Sequence, residues 1–277
     1  MSLLRSARRQ LAEVAGEDVV LAMTRVLDRI NRLSYDFSAD GRRSAAEVRA
    51  LRDIGRGKRC FILGNGPSLA GMDLRPLRDE VTFGLNRLYL LFDKLGFPTT
   101  YLVSVNRLVV EQAGNDILDV GRPTFLSWHV RDTVARRDRA IFLPTSRARE
   151  FSRDPSKAVW EGATVTFVAL QLAYYMGFDP VILIGVDHSF ATKGPAHKEV
   201  TSTGDDPNHF DPKYFGRGFR WNLPDLETSE IAYRMARLAY EESGRRVLNA
   251  TVGGKLEVFE RASFEDLVGQ PGRQPQS

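Results

Sequence analysis

From residue 58 onward, short apolar runs recur along this chain, each bounded by turn residues and several of them separated by stretches of helical spacing. The runs occupy 60–63, 81–85, 101–105, 124–127, 140–143, 181–186 and 246–249. They are rich in β-branched or aromatic residues and show little apolar/polar alternation. That pattern suits strands buried on both faces, as in a parallel sheet sandwiched by helices. Helical spacing predicts helices over 87–95, 166–176 and 227–243. The implied fold class is α/β: an open, mostly parallel Rossmann-like sheet with helices on both faces, preceded by an N-terminal helical segment. A chain of 277 residues with 43% apolar content is long enough for one substantial core of this kind.

The helical segment spans residues 1–57. Leu11, Val14, Val19, Met23, Val26, Leu27 and Ile30 recur at helical spacing between Ser6 and Asn31, which predicts one or two amphipathic helices. Packing on the main domain or on a second copy is favoured over a helix lying on a membrane. A shorter helix over 44–54 ends at Gly55-Arg56-Gly57. The nucleotide-binding domain then occupies 58–267, and residues 268–277, with Gly, Gln and two prolines, read as a disordered tail. Within the domain, 190–224 lacks periodicity and reads as a long irregular loop, the kind that serves as a lid or binding loop.

Composition excludes several function classes. The net charge of +4 is the small difference between 39 basic and 35 acidic residues, and no basic run is interleaved with aromatics, so no nucleic-acid partner is expected. Weak attraction to anionic membrane or to phosphate-bearing substrates stays allowed. The single cysteine, Cys60, excludes an intramolecular disulfide framework and a cysteine-cluster metal site, and its apolar setting reads as core. Acidic residues interrupt the N-terminal apolar stretch that a signal peptide needs, and no window reaches the roughly 18–20 apolar residues of a membrane span. The expected location is cytoplasmic, with room for peripheral contact at the inner membrane face and for a homo-oligomer.

The first strand runs into Gly64-Asn65-Gly66-Pro67-Ser68-Leu69. Such a turn at the carboxyl end of a parallel strand lets backbone N–H groups approach an anion. Asn65 tolerates a left-handed backbone or bonds a ribose, Pro67 stiffens the turn, and Ser68 offers a hydroxyl. The motif is neither the dinucleotide fingerprint nor a P-loop. Asn86 and Asn106 end the next two strands, so three asparagines converge on one sheet edge as a shared polar site or as three helix caps. The later run delivers Asp187 and His188 to the same edge, where Asp187 can orient a base, bind a metal-phosphate or cap a helix. The long loop adds His197, Asp205, Asp206, His209, Tyr214, Arg217 and Arg220. His suits proton removal near neutral pH, and Arg or Tyr suits phosphate oxygens. No zinc-like spacing appears, so no structural metal is expected.

At these residues the chain resembles the bacterial sialyltransferase-like glycosyltransferases and the related MptE-like family, named for an archaeal 6-hydroxymethyl-7,8-dihydropterin pyrophosphokinase. The resemblance rests on the Gly64-to-Leu69 turn with the strand before it, Gly84-Leu85-Asn86, Asn106, the stretch from Thr164 to Gly177, Ile184-Gly185-Val186-Asp187, Asn208 to Gly216, and Asn249 to Gly254. It covers about 58–264. It implies a CMP-sugar donor held by Asn65, Ser68, Asn86 and Asn106, with Thr164 near the nucleotide, no metal, and a loop histidine taking the acceptor proton. Two features depart from the pattern. Tyr214-Phe215-Gly216-Arg217 carries arginine where the base histidine stands in that group, which leaves His209 or His188 as base. The paired phosphate-binding tyrosines after the Asp187 motif are absent.

The leading reading is a nucleotide-dependent transferase, a glycosyltransferase in surface glycan or polysaccharide synthesis acting on a small-molecule or glycan acceptor. In it Arg217 or Arg220 offsets charge on the leaving nucleotide. The alternative is an ATP-dependent pyrophosphokinase with Mg²⁺ on Asp187, Asp205 or Asp206. A third is a non-catalytic nucleotide-binding interaction protein.

Overall fold

The computed structural model describes residues 17–269. The first part of the predicted N-terminal helix and all but the start of the predicted tail lie outside those residues.

Eight strands form one wholly parallel sheet: β1 (Cys60–Leu63), β2 (Thr82–Leu85), β3 (Tyr101–Ser104), β4 (Thr124–Ser127), β5 (Ala140–Leu143), β6 (Val181–Ile184), β9 (Val247–Asn249) and β10 (Glu260–Arg261). Their order is β10-β9-β6-β1-β2-β3-β4-β5. All seven predicted runs are strands, and burial on both faces explains why they read as unbroken apolar segments. In β1, Cys60 and Ile62 enter one core while Phe61 and Leu63 enter the other. Val181 and Leu183 against Ile182 and Ile184 repeat this in β6. Burial pushes the Cys60 thiol well above its ordinary range, consistent with an inert core residue.

Helices α5 (Val165–Tyr175) and α6 (Leu226–Glu241) cover the first face. Helix α4 (Arg107–Asp119) covers the second with aromatic residues of the segment after β6. Three expectations are corrected. The helix expected over 87–95 is a 3₁₀ turn at Leu88–Leu91 followed by the single turn α3 (Phe92–Leu95). The whole of α4 was unforeseen. The segment expected to be irregular carries an antiparallel ribbon, β7 (Glu199–Thr201) with β8 (Arg220–Asn222), and buries Phe210, Tyr214, Phe215, Trp221 and Leu223. These apolar anchors dock it on the sheet, so it is a packed wall and not a free flap. The chain ends its described part with α7 (Phe264–Gly269).

The first two helices, α1 (Glu17–Phe37) and α2 (Ala39–Ala50), close the sheet's β5 edge. Ser38 caps α2 by accepting from the Gly41 N–H at 2.8 Å. An edge strand exposes unpaired backbone groups, and here side chains satisfy them. The Phe142 N–H donates to Ser44 Oγ (2.9 Å), the Phe142 carbonyl accepts from the Tyr35 hydroxyl (3.1 Å), and the Ala140 carbonyl accepts from Arg43 (3.0 Å). Tyr35 is fully buried and meets Trp128 edge-on at 5.2 Å. Among the described residues no helix is long and apolar enough to cross a membrane.

Ser44 sits at 0% exposure, so Ser44→Ala strands the Phe142 N–H. Urea unfolding is expected to show a loss of about 1–3 kcal/mol. A variant as stable as wild type would mean that water reaches this edge.

Candidate functional site

The sheet order reverses between β1 and β6. From β1 the chain steps outward through β2 to β5, then crosses back to place β6 on the other side of β1. The turns leaving β1 and β6 therefore run apart, and in open parallel sheets the crevice at such a switch point is where ligands bind.

The two turns meet backbone to backbone. The Gly64 N–H donates to the Ile184 carbonyl (2.7 Å) and the Gly66 N–H to the Gly185 carbonyl (2.9 Å). A Cβ on Gly64 would lie 2.3 Å from the Gly185 oxygen, and one on Gly66 would lie 1.7 Å from Asp187 Oδ2. Asp187 accepts from the Ser68 hydroxyl (2.7 Å) and from the Ser68 N–H (3.3 Å). Pro67 opens a 3₁₀ turn, Pro67–Gly71. This corrects the expectation that the glycines and Ser68 offer free donors to an anion. Their N–H groups and the Ser68 hydroxyl are engaged by the β6 turn, and the glycines are required for that close approach. Asp187 braces the turn.

Asn65 stands out in this junction. Its backbone carbonyl accepts from the Phe210 N–H (3.0 Å), while its side-chain Oδ1 is buried with no hydrogen-bond partner. A buried carbonyl oxygen left without a donor costs on the order of 1–3 kcal/mol. Such groups call for a missing partner.

Asn86 and Asn106 share the rim but are spent differently. Asn86 takes a left-handed backbone (φ 48°) and its Oδ1 accepts from the Ser104 hydroxyl at 3.0 Å. Asn106 caps α4, its Oδ1 accepting from the N–H groups of Leu108 (3.0 Å) and Val109 (3.4 Å). Of the three asparagines, Asn65 is the one whose side-chain oxygen has no partner; Asn86 ties the β2 end to Ser104, and Asn106 serves as a cap.

His209 is held from several sides. Its Nδ1 lies 2.6 Å from Asp206 Oδ2, and its ring stacks on Tyr214 with centroids 4.0 Å apart and 14° between planes. Phe215 meets it edge-on at 4.8 Å. Asp206 is itself fixed by the N–H groups of Asn208 (2.8 Å) and Phe215 (3.0 Å). A carboxylate accepts only, so Nδ1 carries a proton, and in the neutral ring this leaves Nε2 as the nitrogen with a lone pair. A base oriented by a fixed carboxylate is the arrangement of general-base catalysis. The adjoining Phe210-to-Asn65 bond ties this pair to the β1 turn.

Tyr214 is corrected from a ligand group to a support. It is fully buried, and its hydroxyl accepts from the Arg87 N–H (3.3 Å) and from the Asn86 side chain. Burial raises its pKa far above the ordinary tyrosine value, so the hydroxyl stays neutral. Arg220, half exposed, has Glu111 and Glu199 each 3.4 Å away, which partly offset its charge. Arg217 lines an open groove with Arg87, Lys213 and Phe219 beside the rim.

His188 lies across the β6 turn at φ 52°, its ring edge-on to Tyr233 at 5.7 Å and its Nε2 3.9 Å from Glu230. Thr164 caps α5 and pairs with the Tyr233 hydroxyl at 3.2 Å. Sequence reading missed the neighbouring Glu161, whose carboxylate accepts from the Ser127 hydroxyl and sits 3.6 Å from His129 Nδ1. A serine ending β4 and an acid three residues before a helix cap were the available signals. Between them Gly162 (φ 57°) and Ala163 (φ 58°) both take left-handed backbone. Left-handed non-glycine residues are uncommon, and Asn86, Ala163 and His188 all stand at this one sheet edge. Among the described residues, no group of three His, Cys, Asp or Glu side chains is arranged to hold a metal ion.

No family model matches the chain, and no curated protein matches it. Among solved structures it is similar to the MAf glycosyltransferase from Magnetospirillum magneticum AMB-1, with 17% identity and a TM-score of 0.45. The match covers 79% of this chain and 37% of that one, so this chain spans well under half of that protein's length.

Burial pulls the His188 pKa below its ordinary 6.5, with Glu230 opposing. The neutral ring therefore contributes stability that is intact above pH 6.5 and lost as pH falls, because the unfolded chain takes up the proton first. An NMR titration of the His188 ring is expected to give a midpoint below 6.5, and a midpoint above it would mean that Glu230 dominates.

Proposed function

We propose that this chain is a nucleotide-dependent glycosyltransferase that uses the β1/β6 crevice for its donor and His209 as general base. The observation that carries this reading is the fixed Asp206–His209 pair tied to the turn of Asn65, whose Oδ1 lacks a donor. A base, ribose or sugar of a nucleotide donor brings N–H or O–H groups that satisfy such an oxygen. The motif resemblance around Asn65 and Asn86 supports a CMP-sugar as the donor class, and the pathway of surface glycan or polysaccharide synthesis rests on that resemblance alone.

In this mechanism His209 Nε2 takes the proton from an acceptor hydroxyl. The hydroxyl oxygen attacks the anomeric carbon from the face opposite the nucleotide, and the nucleotide phosphate departs with the bonding electrons. Asp206 holds the imidazole in the reactive tautomer and stabilises the imidazolium that forms. Arg217 lines the open groove together with Lys213, and either cation can offset charge on the departing phosphate. His188 is the weaker candidate base, because Tyr233 flanks its ring and Glu230 stands 3.9 Å from Nε2, beyond hydrogen-bond distance.

The pyrophosphokinase reading asks Asp187, Asp205 or Asp206 to hold Mg²⁺. Asp187 is already engaged by Ser68, and Asp206 by His209 and two backbone N–H groups, while Asp205 is exposed. A metal on Asp187 or Asp206 has to compete with the contacts that build the crevice, which leaves Asp205 as the carboxylate open to that reading.

Thermal-shift measurements with CMP, CDP, UDP and ATP, each with and without Mg²⁺, separate the two. Stabilisation by CMP without metal is expected, whereas stabilisation by ATP with Mg²⁺ alone would move the assignment to diphosphate transfer. Once a turnover assay exists, His209→Ala and Asp206→Asn are each expected to lower kcat by about 10²–10⁴-fold while nucleotide affinity stays nearly unchanged. Undiminished turnover in His209→Ala would remove it as the base.

A further inference from the structure

Among the described residues, nothing covers an apolar stripe along helix α1. Val19, Met23, Val26, Ile30, Leu33 and Phe37 are 44%, 45%, 56%, 57%, 46% and 77% exposed, and Leu27 beside them is 46% exposed. The six follow each other at intervals of four, three, four, three and four residues. At 3.6 residues per turn they fall within a stripe about 80° wide and roughly 30 Å long. Alternating three- and four-residue spacing is the heptad seam by which one helix pairs with another.

The helix cannot turn this stripe inward, because its opposite face is fastened to the body. Asp28 pairs with Arg147 at 2.5 Å and accepts from the Arg147 N–H at 2.9 Å. Asn31 donates to the Thr145 carbonyl at 3.4 Å, and Tyr35 donates to the Phe142 carbonyl at 3.1 Å. The outward residues therefore stay outward in the folded chain.

We propose that this stripe pairs with the same stripe of a second copy, making the protein a homodimer through α1. The stripe is self-complementary when the two helices run antiparallel about residue 28. Val19 then faces Phe37, Met23 faces Leu33 and Val26 faces Ile30, each large residue meeting a smaller or more flexible one. Seven half-exposed side chains of this size leave on the order of 600 Å² of apolar surface, the upper end of what a monomer ordinarily exposes. Two copies together remove about 1,200 Å², the lower bound of a stable interface. Arg25 and Arg29 flank the stripe, but a seam only about 80° wide with self-complementary pairs fits a second helix better than a lipid surface, which favours a broader apolar face. On its other face α1 rests on the connection 144–164, which is anchored to it at Thr145 and Arg147 and ends at the rim residues Glu161 and Thr164.

Sedimentation velocity on the full chain at micromolar concentration tests this directly. Wild type is expected to sediment as a dimer. Ile30→Glu places a carboxylate in the seam and is expected to weaken association by more than about thirtyfold. Phe37→Ser, at the most exposed position, is expected to do the same, so the test survives if one variant folds poorly by circular dichroism. Leu238→Glu changes a comparably exposed residue on α6 (53%) and is expected to remain dimeric. A monomeric wild type overturns the proposal, including one that instead floats with anionic phospholipid vesicles. Dimers that persist in both seam variants overturn it as well.

Discussion

The close backbone contact between the turns leaving β1 and β6 is what the rest of the site depends on. Gly64 and Gly66 have no room for a Cβ because the Gly185 carbonyl and the Asp187 carboxylate occupy that space. The contact sets the width of the switch-point crevice. It also fixes Asn65 with its carbonyl turned to Phe210 and its Oδ1 without a partner. Asp187, by gripping Ser68, spends a strand-end acid on bracing this junction.

The segment after β6 builds outward from that junction. Its aromatic residues bury themselves on the α4 face, and this burial stacks Tyr214 on His209 and brings Asp206 to Nδ1. One packing event thus supplies both the wall of the crevice and an oriented imidazole. The same Tyr214 reaches back to the β2 end through Asn86 and Arg87, and the Phe210 N–H reaches the β1 end at Asn65, so the loop is tied to two strand ends.

Much of the fold was legible in the sequence because strands buried on both faces leave unbroken apolar runs, as 60–63 and 181–184 do. Helix α4 was not, because Asn106 reads both as a strand-end ligand and as a helix cap, and cap and ligand demand the same residue at the same place. The β7–β8 ribbon escaped because three-residue strands in a Gly- and Asp-rich stretch give no period to detect. A two-glycine turn also looks alike whether an anion or another backbone approaches it, and only the adjacency of β1 and β6 decides between them. The Asp206–His209 pair was visible as two residues but not as a pair, since its geometry comes from tertiary stacking. The closure of β5 by Ser44, Tyr35 and Arg43 joins positions about a hundred residues apart, beyond the reach of local pattern.

The central claim, that a nucleotide completes the hydrogen bonding of Asn65 at the switch point, is tested most directly by following asparagine side-chain amides in selectively ¹⁵N-labelled protein during a CMP titration. The account predicts saturable shifts of the Asn65 and Asn86 amide signals with the capping Asn106 unchanged. Saturable binding that leaves Asn65 unmoved would contradict it.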